Sequence, residues 1–343
     1  MAHFTVLRGG RVLDAAGRDA PFRDILIEDG TIRAIGAPGL EAPADATRVD
    51  ASRHLLHPGL VNGHTHGSGA LLRGFRDRMN LELLLIVTPA RFANQTLQIK
   101  YLNTYLGAIE MALKGCTLAY DLTFGLPVAS IEELIVMGQA YRDAGIRAVM
   151  APMLADTSFY AAQPGLLESL PPELRGLVSE SGGTDAAEIL RLMEEALRTW
   201  PHDRDHVKLG VAPTIPTHCS DELMRGSDRL VREYGTVMQS HIGEAKYQVV
   251  AAEARYGKSM LAHVDDLGLL GPHFSVAHGI WLDDDDLKRL ADKGASISHN
   301  PGSNMRLGSG IADSLRMLEL GVNLAIGTDG PASADNQNMY EAM

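Results

Sequence analysis

The chain has 343 residues, enough for one large core with a small appendage or for two ordinary domains. Hydrophobic residues make up 45% of it and charged residues 22%, as in ordinary globular proteins, so disorder is not expected. The formal net charge of −12 disfavours binding to nucleic acid or to an anionic membrane, because both reward lysine and arginine. Neither a signal peptide nor a membrane-length apolar run is visible, and the two cysteines form no disulfide or zinc motif, so a cytoplasmic location is expected.

The first 57 residues contain short β-leaning stretches separated by glycine turns. Gly9-Gly10 and Asp29-Gly30 are the predicted turns, and Asp29-Gly30 between apolar runs is a good hairpin signal. We therefore expect residues 1–57 to form part of a small β-sandwich domain. The predicted strands are residues 5–7, 11–13, 24–28 and 31–35.

From Pro58 onward, short apolar stretches alternate with longer amphipathic ones, which is typical of βα units around a parallel sheet. Eight such units predict a (β/α)8 TIM-type barrel over residues 58–343. An open doubly wound sheet is the alternative, but no glycine-rich dinucleotide loop follows the first strand. The predicted strands are residues 59–66, 117–122, 146–152, 207–214, 236–241, 274–278, 295–299 and 323–329. The predicted helices are residues 102–114, 131–144, 186–200, 220–234 and 284–293.

Histidines and one aspartate fall at the carboxyl ends of the predicted barrel strands. Active sites of such barrels lie at this end, so these side chains should converge above the barrel. They are His64, His66, His241, His278, His299 and Asp329.

The spacing of His64 and His66 has a physical reason. Residues i and i+2 of a strand face the same side, so both imidazoles can reach one metal ion. A further histidine and a carboxylate from other strand ends would complete a nitrogen-and-oxygen site, which suits zinc, iron, manganese or cobalt.

The segment HPGLVNGHTH at residues 57–66 resembles the signature of the amidohydrolase superfamily. The segments SHIGE (240–244), AHG (277–279), SHNPGSN (298–304) and GTDG (327–330) resemble its cytosine-deaminase-like branch. That branch includes triazine hydrolases, guanine deaminases and adenosylhomocysteine deaminases. The likeness extends over nearly the whole chain, since residues 1–57 also resemble the family's N-terminal sandwich portion.

The resemblance implies a role for each matching residue. One divalent metal, zinc in the first place, would be bound by His64, His66, His241 and Asp329. Glu244 would be the proton shuttle, His278 would orient the attacking water, and Asp329 would also take the proton that the water releases. A two-metal version of the superfamily uses a carboxylated lysine at the end of strand four. Lys208 lies near the beginning of that predicted strand, so we expect a single metal.

The substrate contacts are less well defined, because the chain departs from the branch here. Deaminases of the branch often carry a histidine in a Gly-Pro-His stretch closing strand four, whereas this chain has Thr214 there and His218 four residues later. We take Thr214, His218, His299 and Arg73 as candidate substrate contacts. The alternatives are a packed helix-start residue for His218, a structural role for His299 and a surface salt bridge for Arg73.

The pattern as a whole favours a hydrolase of carbon–nitrogen bonds other than peptide bonds, acting on a small molecule and most often deaminating a heterocycle. Cleavage of an exocyclic amide, urea or carbamate, or dechlorination of a triazine, is the alternative. An inactive barrel used for binding is a distant third reading. The sequence leaves a homo-oligomer open.

Two further expectations concern local structure. The acidic run at residues 283–286 predicts the capped start of the helix that follows, in preference to a calcium site. Residues 338–343 look like a helix barely begun, so we expect the chain to be truncated at its last helix. The second half of the sandwich would then lie beyond the C-terminus.

Overall fold

The computed structural model describes residues 2–14, 18–74, 78–92, 95–125, 128–180 and 184–343. The chain divides into two compact units, Met1–Gly59 and Leu60–Met343. Among the described residues, no helix is long and apolar enough to cross a membrane.

The N-terminal unit contains one five-stranded sheet. Its central strand β1 pairs antiparallel with β2 and parallel with β4 and β5, and β3 forms a hairpin with β2. A second sheet that would complete a sandwich stays a prediction. The strands are β1 (Phe4–Val12), β2 (Phe22–Glu28), β3 (Thr31–Gly36), β4 (Thr47–Asp50) and β5 (Leu55–Leu56).

One of the two predicted turns in this unit is confirmed and the other is wrong. Asp29 and Gly30 both have positive φ, 47° and 81°, and connect β2 to β3 as a tight hairpin. Gly9-Gly10, by contrast, lies inside β1, which runs straight through it. The register with β2 shifts between Leu7 and Gly10, and Gly9 has φ 69°. The glycine pair therefore makes a bulge, which needs the same backbone freedom as a turn.

The second unit is an α/β fold with two parallel sheets, consistent with a TIM-type barrel. One sheet has the order β10-β8-β7-β6 with β9 paired to β8, and the other has the order β11-β12-β13-β14. Isolated parallel bridges connect the two sheets at Val211–Met238 and at Thr65–Asp329. The strands are β6 (Leu60–Thr65), β7 (Cys116–Thr123), β8 (Arg147–Leu154), β9 (Val207–Leu209), β10 (Ala212–Pro213), β11 (Met238–Ile242), β12 (Phe274–His278), β13 (Ser296–His299) and β14 (Asn323–Ile326).

Helices connect successive strands of this unit, and two 3-10 helices, Gly67–Leu72 and Pro216–His218, follow β6 and β10. The α-helices are α1 (Leu81–Phe92), α2 (Leu97–Leu113), α3 (Ile131–Ala144), α4 (Phe159–Ala162), α5 (Leu166–Ser169), α6 (Pro172–Glu180), α7 (Ala186–Thr199), α8 (Asp221–Tyr234), α9 (Lys246–Tyr256), α10 (Met260–Asp266), α11 (Asp284–Lys293), α12 (Pro301–Arg306), α13 (Ser314–Glu319), α14 (Pro331–Ala334) and α15 (Met339–Ala342).

The predicted fourth strand, residues 207–214, is interrupted in the structure. Between β9 and β10, Gly210 and Val211 donate their main-chain N–H groups to different neighbours, Met150 and Val237. A Cβ on Gly210 would lie 3.1 Å from a methyl group of Val149, so a side chain here would be crowded against the neighbouring strand. Lys208 donates to the main-chain oxygen of Gly235, just before β11, which places it at the amino end of the strands.

The apolar faces of the helices pack against the strands in one large core that includes Tyr141, Leu134, Met150 and Phe274. Because this core fixes the positions of the strands, it also fixes the positions of the residues at their carboxyl ends. The candidate functional site is built on those ends.

Candidate metal centre and active site

Four histidine rings meet at the carboxyl ends of three strands. His64 lies in β6 and His66 follows it, His241 lies in β11, and His278 ends β12. The ring centroids of His66, His241 and His278 lie 4.9, 5.0 and 5.3 Å from that of His64. His64 and His278 are almost fully buried. The structure thus brings together side chains that are up to 214 residues apart in sequence.

The outer nitrogen, Nδ1, of each ring is anchored by a fixed acceptor. These contacts are His64 to Oε1 of Gln239 at 2.7 Å, His66 to the main-chain oxygen of Leu122 at 2.7 Å, His241 to that of Thr214 at 2.7 Å, and His278 to Oδ1 of Asn304 at 2.8 Å. Such outer contacts fix the orientation of an imidazole that binds metal through its other nitrogen.

The partners of His64, His66 and His241 also fix the position of the ring proton. A main-chain oxygen can only accept, so His66 and His241 carry their proton on Nδ1. Gln239 donates its amide to the main-chain oxygen of Gly63 at 3.0 Å, so its Oε1 must face His64, which again requires a proton on Nδ1. In the neutral ring, Nε2 is then a lone-pair acceptor in all three histidines.

Two of these inner nitrogens face a carboxylate oxygen, and the third faces one of those two. Oδ1 of Asp329 lies 3.4 Å from Nε2 of His64 and 3.3 Å from Nε2 of His66, and Nε2 of His241 lies 3.4 Å from Nε2 of His66. Within the described residues, Nε2 of His64 and Oδ1 of Asp329 are buried without a hydrogen-bond partner. Buried acceptors that face one another are unfavourable unless a cation lies between them. The donor set therefore fits a divalent metal ion.

Ionisation at the cluster agrees with this fit. Burial alone would raise the pKa of Asp329, but positive charge beside it, whether on His64 and His66 or on a cation bound by their neutral rings, holds it well below its usual value. Burial, together with the neighbouring histidines, lowers the pKa of His241 well below its usual value. A carboxylate and neutral imidazoles are the protonation states that metal ligands need.

Two residues of the cluster have an unusual backbone. His278 and Asp329 have φ values of 77° and 56°, in the left-handed region that residues other than glycine rarely adopt. Such conformations persist where the surrounding structure enforces them, and they concentrate at active sites. The other oxygen of Asp329, Oδ2, accepts from the hydroxyl of Ser333 at 3.2 Å, which directs Oδ1 toward the histidines.

Glu244 lies at the edge of the cluster, two residues after β11. Its side chain is buried, and one carboxyl oxygen lies 3.6 Å from Nε2 of His278. Its main-chain N–H donates to Gln248 at 2.9 Å. Burial and the nearby Asp329 carboxylate raise the pKa of Glu244 well above its usual value. Glu244 is therefore suited to hold a proton that it can transfer.

The candidate substrate contacts have different surroundings. The main-chain oxygen of Thr214 is engaged by His241, and its hydroxyl contacts Met153. His218 is buried with its ring 5.9 Å from that of Phe159, and burial lowers its pKa to about 4. Nε2 of His218 has no hydrogen-bond partner among the described residues.

His299 ends β13 and is half-buried, and burial together with His278 lowers its pKa. Arg73 is half-exposed and forms a salt bridge with Glu110, the alternative that its sequence context left open. The substrate roles of these residues stay predictions.

The sequence alone did not identify several residues that support the cluster. Gln239 is one of them, although its place two residues before His241 puts it on the same face of β11. Asp121 is another: it is fully buried near the end of β7 and accepts hydrogen bonds from Tyr141 and from the N–H of Gly67. Burial raises its pKa to about 7 although those two bonds oppose the rise. The sequence signal for Asp121 was its position, since it is a carboxylate near the end of the predicted strand at residues 117–122.

Comparison with known proteins agrees with this geometry. A sequence model of the amidohydrolase family matches residues 55–343. The chain belongs to that family. It is therefore an enzyme of the amidohydrolase type, which hydrolyses carbon–nitrogen bonds other than peptide bonds.

Among its relatives is a 5-methylthioadenosine/S-adenosylhomocysteine deaminase from Thermococcus kodakarensis, 34% identical over 98% of this chain and 72% of the relative. A 5'-deoxyadenosine deaminase from Methanosarcina mazei is 33% identical over 96% of this chain and 69% of the relative. The fold also matches the crystal structure of an adenosine deaminase from Xanthomonas campestris with bound zinc. That match has a TM-score of 0.78 and 24% identity, and covers 98% of this chain and 72% of the other.

Proposed function

We propose that this amidohydrolase deaminates a purine nucleoside related to adenosine, replacing the ring amino group with oxygen and releasing ammonia. The observation that carries the proposal is a buried cluster in which Nδ1-anchored His64 and His66 face the carboxylate of Asp329 and Nδ1-anchored His241 faces His66, beside a carboxyl group, Glu244, with a raised pKa. The two relatives named as deaminases of adenosine derivatives favour a purine nucleoside over other heterocycles.

We propose that one divalent ion is bound by His64, His66, His241 and Asp329, with zinc preferred to iron, manganese or cobalt. Nitrogen and oxygen ligands suit zinc, and the adenosine deaminase from Xanthomonas campestris contains zinc. When bound, the ion would lower the pKa of water toward 7 and so supply a nucleophile at neutral pH.

Glu244 and Asp329 would move the protons of the reaction. Water adds to the ring carbon that bears the amino group, Asp329 takes one proton of the water, and Glu244 gives its proton to the adjacent ring nitrogen. Asp329 then passes its proton to the amino group, the carbon–nitrogen bond breaks, and ammonia leaves. The proton of the new hydroxyl returns to Glu244, so that both carboxyl groups end the cycle as they began it.

His278 would orient the attacking water toward the ring carbon that bears the amino group. Its Nδ1 is anchored by Asn304, and its Nε2 lies 3.6 Å from Glu244, where a water or substrate oxygen can bridge the two side chains. His218, Thr214 and His299 are proposed to contact the purine nucleoside, and Arg73 is the weakest of the four substrate candidates because it is paired with Glu110.

We propose that the parallel strands close into a full barrel through the bridges at Val211–Met238 and Thr65–Asp329. Residues 1–57 are proposed to be a partial sandwich domain, and residues 58–343 are proposed to be a barrel domain. A cytoplasmic location, a small-molecule substrate and no nucleic-acid partner fit the acidic composition.

The test combines metal analysis with a substrate screen. Purified protein loaded with zinc should release ammonia from 5'-deoxyadenosine, 5'-methylthioadenosine or S-adenosylhomocysteine, with a matching change in purine absorbance. Guanine, cytosine, a chlorinated triazine, a urea and a carbamate belong in the same screen, because they represent the alternative reactions.

The matched control is Glu244→Gln, which changes one oxygen of the side chain to nitrogen. Ammonia release from a purine nucleoside by the wild type, and its loss in this variant, is the expected result. Turnover confined to the triazine, urea or carbamate would contradict the proposed substrate class, and turnover of no substrate by zinc-loaded protein would contradict deamination.

A further inference from the structure

A buried glutamine after the last strand joins the two edges of the barrel beside the candidate metal centre. Gln337 lies between α14 and α15 and is fully buried. Its Oε1 accepts from the hydroxyl of Thr65 at 2.6 Å and from that of Thr328 at 3.0 Å. Its Nε2 donates to the main-chain oxygen of Asp329 at 2.9 Å. Since that oxygen can only accept, the orientation of the Gln337 amide is determined.

These contacts surround a residue with a strained backbone. Asp329 has φ 56°, in the left-handed region that is unfavourable for a residue other than glycine. Both main-chain groups of Asp329 are held: its N–H donates to the main-chain oxygen of His64 at 3.0 Å, and its oxygen accepts from Gln337 at 2.9 Å and also lies 3.0 Å from the hydroxyl of Thr65. If the backbone of Asp329 relaxed to an extended conformation, its side chain would turn and Oδ1 would no longer face His64 and His66.

Gln337 is itself held on its other side. Its main-chain N–H donates to Glu110 of α2 at 3.2 Å, and Glu110 forms salt bridges with Arg73 and Lys114. A second pair of hydrogen bonds, between Asn62 and Thr328, runs beside it at 2.7 and 3.0 Å. An apolar side chain could fill the same space without the cost of burying an amide, so the use of glutamine here points to the hydrogen bonds and not to packing.

We propose that Gln337 is a positioning residue that holds the backbone of Asp329 in the conformation needed for metal binding. The inference rests on the proposed function, because it needs Asp329 to be a ligand. Gln337 would contact neither the metal ion nor the substrate. It acts through the Asp329 carbonyl and through Thr65, which lies between the two histidines of β6.

The experiment compares Gln337→Met with Gln139→Met. Methionine keeps the length and shape of glutamine but lacks the amide, and Gln139 offers the same change on α3, where its amide contacts only Asp143 in the described structure. Cobalt(II) is titrated into each metal-free protein against a competing chelator, and the visible spectrum of the bound ion is recorded. The spectrum reports the ligand geometry of the folded protein, which a simple loss of stability would not change.

We expect Gln337→Met to bind cobalt about 10–100-fold more weakly than the wild type, with an altered visible spectrum, because loss of an outer contact to a ligand has this effect. Gln139→Met should match the wild type. If Gln337→Met does not fold, Gln337→Asn, one methylene too short to reach Asp329, should give the same result.

Wild-type affinity and spectrum in a folded Gln337 variant would overturn the inference while leaving the metal site intact, and so would an equal loss in Gln139→Met. A wild-type protein that binds no cobalt or zinc would instead overturn the proposed function, and this inference with it.

Discussion

At the scale of single residues, metal binding at the candidate centre depends on which ring nitrogen of each histidine carries the proton. The hydrogen bonds to Leu122 and Thr214 leave Nε2 of His66 and His241 as acceptors, and Gln239 does the same for His64. No sequence pattern predicts this arrangement, because each acceptor lies in a different segment of the chain from the histidine that it contacts. The sequence therefore predicted which side chains could bind metal, and the structure adds why their inner nitrogens are available.

The first prediction separates the candidate ligands from another buried histidine. His64→Ala should reduce the metal content of the purified protein from about one ion per chain to a small fraction, because one nitrogen ligand is lost. His218→Ala makes the same change at a buried histidine whose described ring contact is with Phe159. It should keep its metal. Full metal content in His64→Ala, or equal loss in both variants, would contradict the proposed ligand set.

The second prediction concerns proton transfer by Glu244. Glu244→Gln should retain the metal and lose about 10²–10⁴ in kcat, which is the usual contribution of a positioned general acid or base. The glutamine keeps the size of the side chain but holds no transferable proton. Steady-state kinetics with metal content measured on the same sample tests this. Wild-type kcat in a metal-loaded variant would show that Glu244 is structural.

At the scale of secondary-structure elements, helix ends were predictable where a capping residue marks them. The helix expected over residues 284–293 is confirmed, with Asp283 accepting from the N–H of Asp286 and Gly294 in the left-handed conformation. The helix expected from residue 102 begins earlier, at Leu97, after its cap Thr96. The break between β9 and β10 was not predictable, because Gly210 and Val211 donate to neighbours on opposite sides, Met150 and Val237, and local propensity does not report such contacts.

The third prediction tests the cap of α11. Asp283→Ala should lower the free energy of unfolding by about 0.5–2 kcal/mol, because the N–H of Asp286 loses its acceptor. Asp285→Ala is the matched control, since Asp285 is exposed and contacts only Lys288 across one turn in the described structure. It should cost less, since an exposed ion pair contributes little. Urea denaturation of both variants measures the difference, and equal losses would contradict the capping role.

The fourth prediction concerns Asp24 in the N-terminal sheet. Burial alone would raise its pKa, but the N–H groups of Gly9, Gly39 and Leu40 and the guanidinium of Arg8 lower it to about 2. Because this folded-state pKa is below the unfolded value of about 3.9, the ionised group stabilises the unit fully above that value. The stabilisation is lost as the pH falls toward 2.

Asp24→Asn should therefore weaken the sheet at neutral pH and reduce its acid sensitivity between about pH 4 and 2. Hydrogen exchange of β1 and β2 measured against pH tests this, with the exposed Asp45→Asn as the control. Identical pH profiles for the wild type and Asp24→Asn would contradict the role of the buried carboxylate.

At the scale of the whole molecule, the fold class followed from the alternation of strands and helices, and the family from motifs at strand ends. What the sequence could not provide was the connection between the first and last strands. Thr65 and Asp329 form a bridge, and Gln337 completes it from eight residues further along. The contacts of Thr65 with Asp329 and with Gln337 join residues more than 260 positions apart, so no local window contains them.

The last prediction follows from that connection. The proposed metal ligands come from β6, from β11 and from the segment after β14, so a bound ion links both sheets of the second unit. An ion that binds only the folded state stabilises it by about 4 kcal/mol when its free concentration is 1,000 times its Kd. Without the ion, the facing acceptors of His64, His66 and Asp329 also repel one another.

Removal of metal by a chelator should therefore lower the Tm of the wild type by several degrees. Asp329→Ala should already have a lower Tm and should not respond to the chelator. Calorimetry with and without chelator distinguishes the cases. An unchanged wild-type Tm after verified metal loss would mean that the cluster is held by packing alone.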